Sequence, residues 1–237
     1  MNLSKYVSNI KMPVQKFNST AEQNAFLQGF NVCKKMIQDI TPLLDTEIIG
    51  VVGKTGSGKT TYAKDFYLGE NKFRVTDSEG RIPRFVLIEA DKVYHNMLED
   101  GEIYGLEECF GSCIKNDDGK INRKLLASIV FTDERLLEKL NSIVLPQVTH
   151  KLLEIMTELA DSGWKYTIVL DAPTLIESGM HNICDSIVFI KADKEVRKQR
   201  IMQRDGLTEQ QADARMRFEK EDSFYELYAD RIVSCVR

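Results

Sequence analysis

The sequence predicts an α/β protein, a parallel sheet with helices on both faces, and three observations carry that expectation. Short runs rich in Val and Ile ("EIIGVV", "FVLIE", "YTIVLD", "SIVFIK" and "RIVSCV") recur along the chain. Strands buried on both faces read as continuous apolar runs of this kind. Between the runs lie segments of helical periodicity, the crossovers that parallel strands require. Finally, the first run leads into "GKTGSGKTT", residues 53–61. Its spacing is G-x-x-x-x-G-K-T between a strand and a helix, the pattern of a phosphate-binding P-loop.

The composition is that of an ordinary globular chain: 237 residues, 43% hydrophobic and 29% charged. That length suits one large α/β domain, or one domain with an inserted subdomain. Lys and Arg total 32 against 36 Asp and Glu, a net charge of -4. No basic excess points to nucleic acid or an anionic membrane, so phosphate binding must rest on local charge. The start, "MNLSKYVSNIKMPVQ", has no apolar core of signal-peptide length, and no later run is long enough to span a membrane. The five cysteines form no C-x-x-C pair, and with only His95, His150 and His181 beside them no zinc spacing emerges. They read as reduced thiols, which predicts a cytoplasmic protein.

In chain order, residues 1–18 read as a loosely ordered arm. "STAE", Ser19 to Glu22, is a capping box that opens a helix over 20–40, with Phe26, Phe30, Cys33, Ile37 and Ile40 on one stripe. Thr41 and Pro42 end it. The region 1–45 is thus an arm and amphipathic helix ahead of a domain at 46–237. The first strand is expected at 47–52, followed by the loop and its helix. "GENKFRVTDSEGRIPR" is polar and turn-rich, a surface loop or small hairpin before a second strand at 85–89. From Asp91 to about Ala160 the pattern is helical throughout, with Pro146 expected to interrupt or kink the longest helix. Strands three and four follow at 166–173 and 186–192. A helical stretch over 193–222 and a short fifth strand near 230–236 complete the chain.

Function starts from the loop. Its glycines let successive N–H groups point inward, and the helix opening at Gly58 adds its positive end. Gly53, Gly56, Ser57, Gly58, Lys59, Thr60 and Thr61 form the expected ATP site, in which Lys59 reaches the outer phosphates, Thr60 holds Mg2+ and Thr61 continues the helix. In open parallel sheets the ligand lies beyond the carboxyl ends of the strands. Glu89, Asp91 and Asp171 stand there, able to hold magnesium or accept the proton of an attacking hydroxyl. The competing reading of Asp91 is a helix cap. After the fourth strand Arg197, Arg200 and Arg204 share one helical face, suited to covering a transferred phosphate.

The combination resembles the dephospho-coenzyme A kinase family. Beyond "GSGKTT" the similarity runs through "EADKVYH" (89–95), "CFGSCI" (109–114), "DGKINRKLLASIVF" (118–131), "LNSIVLPQV" (140–148), "LDAPTLIESG" (170–179) and "RIMQRDGLTEQQADARM" (200–216), covering about 48–233. The resemblance implies a nucleotide-kinase-like P-loop fold: a five-stranded parallel core, a helical acceptor-binding insert at about 92–160 and a lid at about 193–222. It implies transfer of the γ-phosphoryl of ATP to the ribose 3′-hydroxyl of dephospho-CoA, with Lys59, Asp91, Arg200 and Arg204 catalytic and Thr60 and Asp91 at the metal. Glu89, Asp91, His95, Arg123, Pro146, Asp171 and Glu177 fall at the acceptor. The implied partners are small molecules, with no nucleic acid or membrane, and the chain is expected to be a monomer or small homo-oligomer.

The chain departs from the family pattern at several points. Glu89 stands for the first Asp of D-A-D, Leu145-Pro146 for His-Pro, Thr174 for a Leu and Glu219 for a Gln. Lys59 and Asp91 are 32 positions apart, an unusually wide spacing that the extra loop near 70–84 explains. The family continues into a last helix beyond the fifth strand, and the helix at 20–40 is expected to pack in its place. Two other readings remain open at this point: a nucleoside or nucleotide kinase with a different acceptor, and a non-catalytic nucleotide-binding regulator.

Overall fold

The computed structural model describes residues 2–10, 21–65 and 84–235, the side chains of 21–28 excepted. In chain order the helices and strands are α1 (Leu3–Ser8), α2 (Ala21–Ile40), β1 (Glu47–Val52), α3 (Lys59–Ala63), β2 (Arg84–Glu89), α4 (Ala90–Glu99), α5 (Leu106–Phe110), α6 (Arg123–Val130), α7 (Glu134–Asp161), β3 (Tyr166–Asp171), β4 (Ser186–Lys191), α8 (Lys194–Asp205), α9 (Glu209–Met216), α10 (Asp222–Glu226) and β5 (Arg231–Ser234). The strands form one parallel sheet in the order β2-β3-β1-β4-β5. All five lie where the apolar runs predicted them.

The register sets the site. Glu89 of β2 stands beside Asp171 of β3, and Asp171 also faces Val51 of β1. Val52 pairs with Phe189 of β4, and Lys191 of β4 with Ser234 of β5. Parallel pairing therefore delivers Glu89, Asp171, the loop after Val52 and the start of α8 to a single edge. Gly50 is fixed by the chain that returns from β3 to β4: a Cβ there would lie 2.6 Å from Leu175 Cδ2 and 3.0 Å from Cys184 Sγ. Among the described residues no helix is long and apolar enough to cross a membrane.

Two sequence expectations are corrected. Pro146 does not interrupt its helix, because α7 runs unbroken for 28 residues. The proline removes one backbone donor, at a cost of about 3 kcal/mol. Ile143, Val148, Leu152, Leu153 and Met156 of α7 are all buried in the main core, and about 1.5–3 kcal/mol for each such side chain more than offsets that loss. The helical stretch at 193–222 holds two separate helices, α8 and α9, and ends where α10 starts. Gly206, with φ 64°, ends α8, and a capping box of Thr208 and Gln211 opens α9.

The N-terminal region also differs from expectation. Within the expected loose arm, α1 is a helix whose Leu3 and Val7 are buried. Asp161, at the far end of α7, accepts from Leu3 N at 3.1 Å and Ser4 N at 2.7 Å, satisfying orphan donors of α1 from a distant element. Tyr6 donates to Asp39 of α2 at 2.7 Å, and His150 of α7 meets the Ile10 carbonyl at 3.0 Å. From the predicted stripe of α2, Cys33, Ile37 and Ile40 are buried, joined by Met36, and Phe30 is half-buried. Cys33 donates to the Pro146 carbonyl at 3.3 Å, and burial pushes its thiol up to about 12. The helix packs on α7 and on the turn Met180–Ile183. Val7, Met36, Ile37 and Ile40 belong to the same cluster as the sheet residues Ile48 and Leu170. The capping box at 19–22, the Phe26 side chain and the turn-rich segment 66–83 lie outside what is described.

Removing residues 1–45 would delete Met36, Ile37 and Ile40 and open to water the apolar surface they cover on α7 and the Met180–Ile183 turn. At about 1.5–3 kcal/mol per buried side chain the truncated chain is expected to be insoluble or to melt far below the full chain. Thermal unfolding of the two proteins side by side checks this.

Candidate active site

The loop at 53–58 joins the central strand β1 to α3, and Gly58, with φ 94°, is the N-cap of that helix. Gly56 is one of two tight points of the loop, the other being Gly53, where a Cβ would lie 2.5 Å from the Ile190 carbonyl oxygen. The φ of Gly56 is 77°, and a Cβ there would lie 2.7 Å from the Arg197 carbonyl oxygen and 3.2 Å from Arg197 Cα, so the loop rests directly on the backbone of α8. Ser57 N donates to the Lys54 carbonyl at 3.1 Å, while Ser57 Oγ is buried with no partner among the described residues. Thr61 is exposed on α3.

Lys59 is only 8% exposed, and its Nζ donates to the Lys54 carbonyl at 3.2 Å across the loop. Burial pushes its pKa down, opposed by the charges of Asp171, Asp91 and Glu219. The next residue, Thr60, donates its hydroxyl to Asp171 Oδ2. Burial raises the Asp171 pKa, while the Lys59 charge and the Thr60 hydroxyl pull it back. Asp171 Oδ1 is buried with no partner among the described residues. A hydroxyl and a carboxylate that keeps one buried oxygen unengaged make a donor set that fits a hard divalent cation.

Asp91 is not the cap of α4. Glu89 occupies that position and makes no side-chain capping bond, whereas Asp91 lies in the first turn, exposed. Its charge is felt by Lys59, Asp171, His95 and Arg204, which places it over the middle of the site. Glu89 reaches Lys64 of the P-loop helix at 3.4 Å. One turn along α4, His95 is half-buried, and burial and the Arg123 charge both lower its pKa against Asp91 and Glu99. Arg123, exposed at the start of α6, also acts on Tyr94 and on Asp205 at the end of α8, so α4, α6 and α8 converge on one opening.

The three arginines do not form a single array above the loop. Arg197 NH1 donates to the Thr55 carbonyl at 3.1 Å and to Glu219 Oε2 at 2.7 Å. Arg200 NH1 donates to the carbonyls of Gly56 and Ser57 at 3.1 and 3.3 Å. Arg204 makes two 2.8 Å bonds to Asp205, which also holds Arg215 at 2.6 Å. Because α8 packs on the loop, its first two arginines face loop carbonyls, while the third pairs with Asp205 and feels the charge of Asp91.

Two residues expected at the acceptor sit elsewhere in the packing. Pro146 is buried within α7, its carbonyl turned to Cys33 of α2. Glu177 follows β3, and burial raises its pKa while Lys220 opposes the shift. Its Oε2 is buried with no partner among the described residues.

Sequence reasoning did not anticipate that Asp171 is the partner of Thr60; its place at the end of β3, level with the loop, was the available signal. It also missed the role of Glu219, noted only as a departure from a glutamine, which accepts from Thr55 N at 3.0 Å, and it missed Asp222, which binds Lys54 at 2.7 Å and Lys191 at 2.9 Å. A cavity of about 1310 Å³ adjoins the same loop and is lined by residues that include Lys54, Arg197, Glu219, Asp222 and Cys235, but not by Lys59, Asp91 or Asp171.

A phosphate loop after the central strand of a parallel sheet, with a buried lysine, a threonine on a strand-end carboxylate and guanidinium groups on the loop, defines a P-loop phosphotransferase. The family model for dephospho-CoA kinase matches residues 47–234. The dephospho-CoA kinase of Fusobacterium nucleatum is 35% identical over 70% of this chain and 77% of its own length. That of Dehalococcoides mccartyi is 31% identical over 79% of this chain and 88% of its own. A crystal structure of TT1252 from Thermus thermophilus shares the fold, with a TM-score of 0.60 at 24% identity over 81% of this chain and 90% of that one. This chain belongs to the dephospho-CoA kinase family. Its activity is the ATP-dependent phosphorylation of dephospho-CoA, the last step of coenzyme A biosynthesis.

Gly56→Ala is expected to weaken ATP binding and lower the melting temperature, because a backbone conformation strained by about 1–3 kcal/mol is combined with a collision against α8. Gly58→Ala carries the strain without that collision, its Cβ meeting nothing nearer than Arg200 NH1 at 3.6 Å. Calorimetric titration with ATP should therefore rank Gly56→Ala as the weaker binder.

Proposed function

We propose that this chain transfers the γ-phosphoryl of ATP, as its magnesium complex, to the ribose 3′-hydroxyl of dephospho-CoA through Lys59, Thr60, Asp171, Asp91 and the α8 arginines. The observation that carries this reading is the Thr60–Asp171 contact beside the buried Lys59, with Asp91 exposed above them. Loop amides and Lys59 hold the phosphates. Thr60 and Asp171 would hold Mg2+, with Asp91 nearby, and when bound the ion supplies charge neutralisation at the phosphates.

Asp91 orients the acceptor hydroxyl and takes its proton. Transfer of a phosphoryl group is largely dissociative, so position and charge matter more than the basicity of Asp91. Arg200 keeps the loop carbonyls turned away from the phosphates, and Arg204 leaves Asp205 for the transferring group. Glu89, His95 and Arg123 border the acceptor, where a neutral His95 offers one donor and one acceptor. Pro146 supports that wall from within α7, and Glu177 supports it from behind β3. The unbridged cysteines support a cytosolic protein, which we read as acting on small molecules as a monomer or small homo-oligomer.

With purified protein, ATP and magnesium, ADP release is expected with dephospho-CoA and not with adenosine, AMP, CMP or dTMP. ADP formed with a monophosphate and none with dephospho-CoA would refute the acceptor assignment. Asp91→Asn should reduce turnover by roughly 10²-fold or more at an unchanged melting temperature. Lys59→Ala should abolish most ATP affinity in the same titration; a variant that bound ATP like wild type would remove Lys59 from the site.

A further inference from the structure

Thr55, at the apex of the P-loop, is held on both sides by charge. Its N–H donates to Glu219 Oε1 at 3.0 Å and its carbonyl accepts from Arg197 NH1 at 3.1 Å. Arg197 and Glu219 meet each other at 2.7 Å, closing a ring of three contacts among the loop, α8 and the segment before α10. Arg197 is 4% exposed and the Glu219 side chain 13%. Charge-assisted bonds of this kind are roughly twice as strong as neutral ones.

The two bonds act on successive peptide planes. In a trans peptide the N–H and the C=O point in opposite directions. Glu219, by taking the Thr55 N–H, turns the carbonyl of Lys54 the other way, and that carbonyl is the one that receives Lys59 Nζ at 3.2 Å and Ser57 N at 3.1 Å. Arg197, by taking the Thr55 carbonyl, turns the Gly56 N–H away from itself. One salt bridge therefore sets where the P-loop lysine rests and which way a loop amide faces. A buried ion pair is weak evidence for stability, since replacing it with apolar side chains is often neutral. Its consequence here lies in geometry.

We propose that Arg197 and Glu219 are a positioning pair that presets the P-loop for phosphate before nucleotide arrives. The proposal rests on the reading that this loop binds the phosphates of ATP, and the wild-type chain tests that separately: it must bind inorganic tripolyphosphate in calorimetry. The double variant Arg197→Met/Glu219→Leu removes both charges while filling their space, so no lone charge is left buried. It is expected to bind tripolyphosphate about tenfold to a hundredfold more weakly, as loss of such bonds implies. The KM for ATP should rise in parallel, and the KM for dephospho-CoA should stay within about twofold. Glu219→Gln keeps an acceptor for Thr55 N without the ion pair, so it should fall between wild type and double variant, and it serves as the test if the double variant does not fold. Unchanged tripolyphosphate affinity in either variant would overturn the proposal. So would an equal rise in both KM values, the mark of a general loss of structure.

Discussion

The rest of the site is arranged around one constraint: an ammonium group almost wholly removed from water. Burial pushes the Lys59 pKa down, and the charges of Asp171, Asp91 and Glu219 oppose that shift. Each comes from a different part of the chain, β3, α4 and the segment before α10, so the charge on one side chain ties together elements distant in sequence. The sheet order follows the same need. With β1 central, its loop opens between β3 and β4. Asp171 arrives from one neighbour and the arginines of α8 from the other. Asp91 completes the ring from the start of α4, one strand further out.

Most of the sheet was legible because strands buried on both faces leave uninterrupted apolar runs, and the P-loop was legible because its glycines are demanded by the backbone. Helix boundaries were less so. "RDGLTEQQ" contains both a left-handed stop at Gly206 and a capping box at Thr208, yet its helical composition on either side masks the break. Pro146 misled in the opposite direction, since a local rule about proline was overridden by the burial of α7. In the site, the individual charged residues were visible, but their pairings were not. Arg197, Arg200 and Arg204 do lie on one helix, yet small differences in direction send two to loop carbonyls and one to Asp205. Glu219 stood out only as a departure from a glutamine, and its role depends on a contact 164 positions away.

The acceptor wall illustrates how packing redistributes roles. Pro146 faces α2, which lies outside the region matched by the family model, and the buried Cys33 of α2 donates to its carbonyl. The N-terminal helices thus lean on the long helix that also carries Gln147, whose side chain bonds both ways with the Tyr104 backbone at 3.0 Å. Through α7, residues added ahead of the kinase fold are mechanically continuous with the insert that surrounds Asp91 and His95.

The bond from Asp161 to the start of α1 spans 158 and 157 positions. During synthesis the first helices leave the ribosome well before the residues that satisfy them exist. Contacts of such separation close late, because loop entropy must be met before they contribute. The apolar stripe of α2 likewise lacks its full cover until α7 and the Met180–Ile183 turn have been made. Throughout translation of the P-loop, β2 and α4, the nascent chain carries the uncovered apolar face of α2. The surface that waits longest for its cover thus belongs to α1 and α2, outside the P-loop at 53–61.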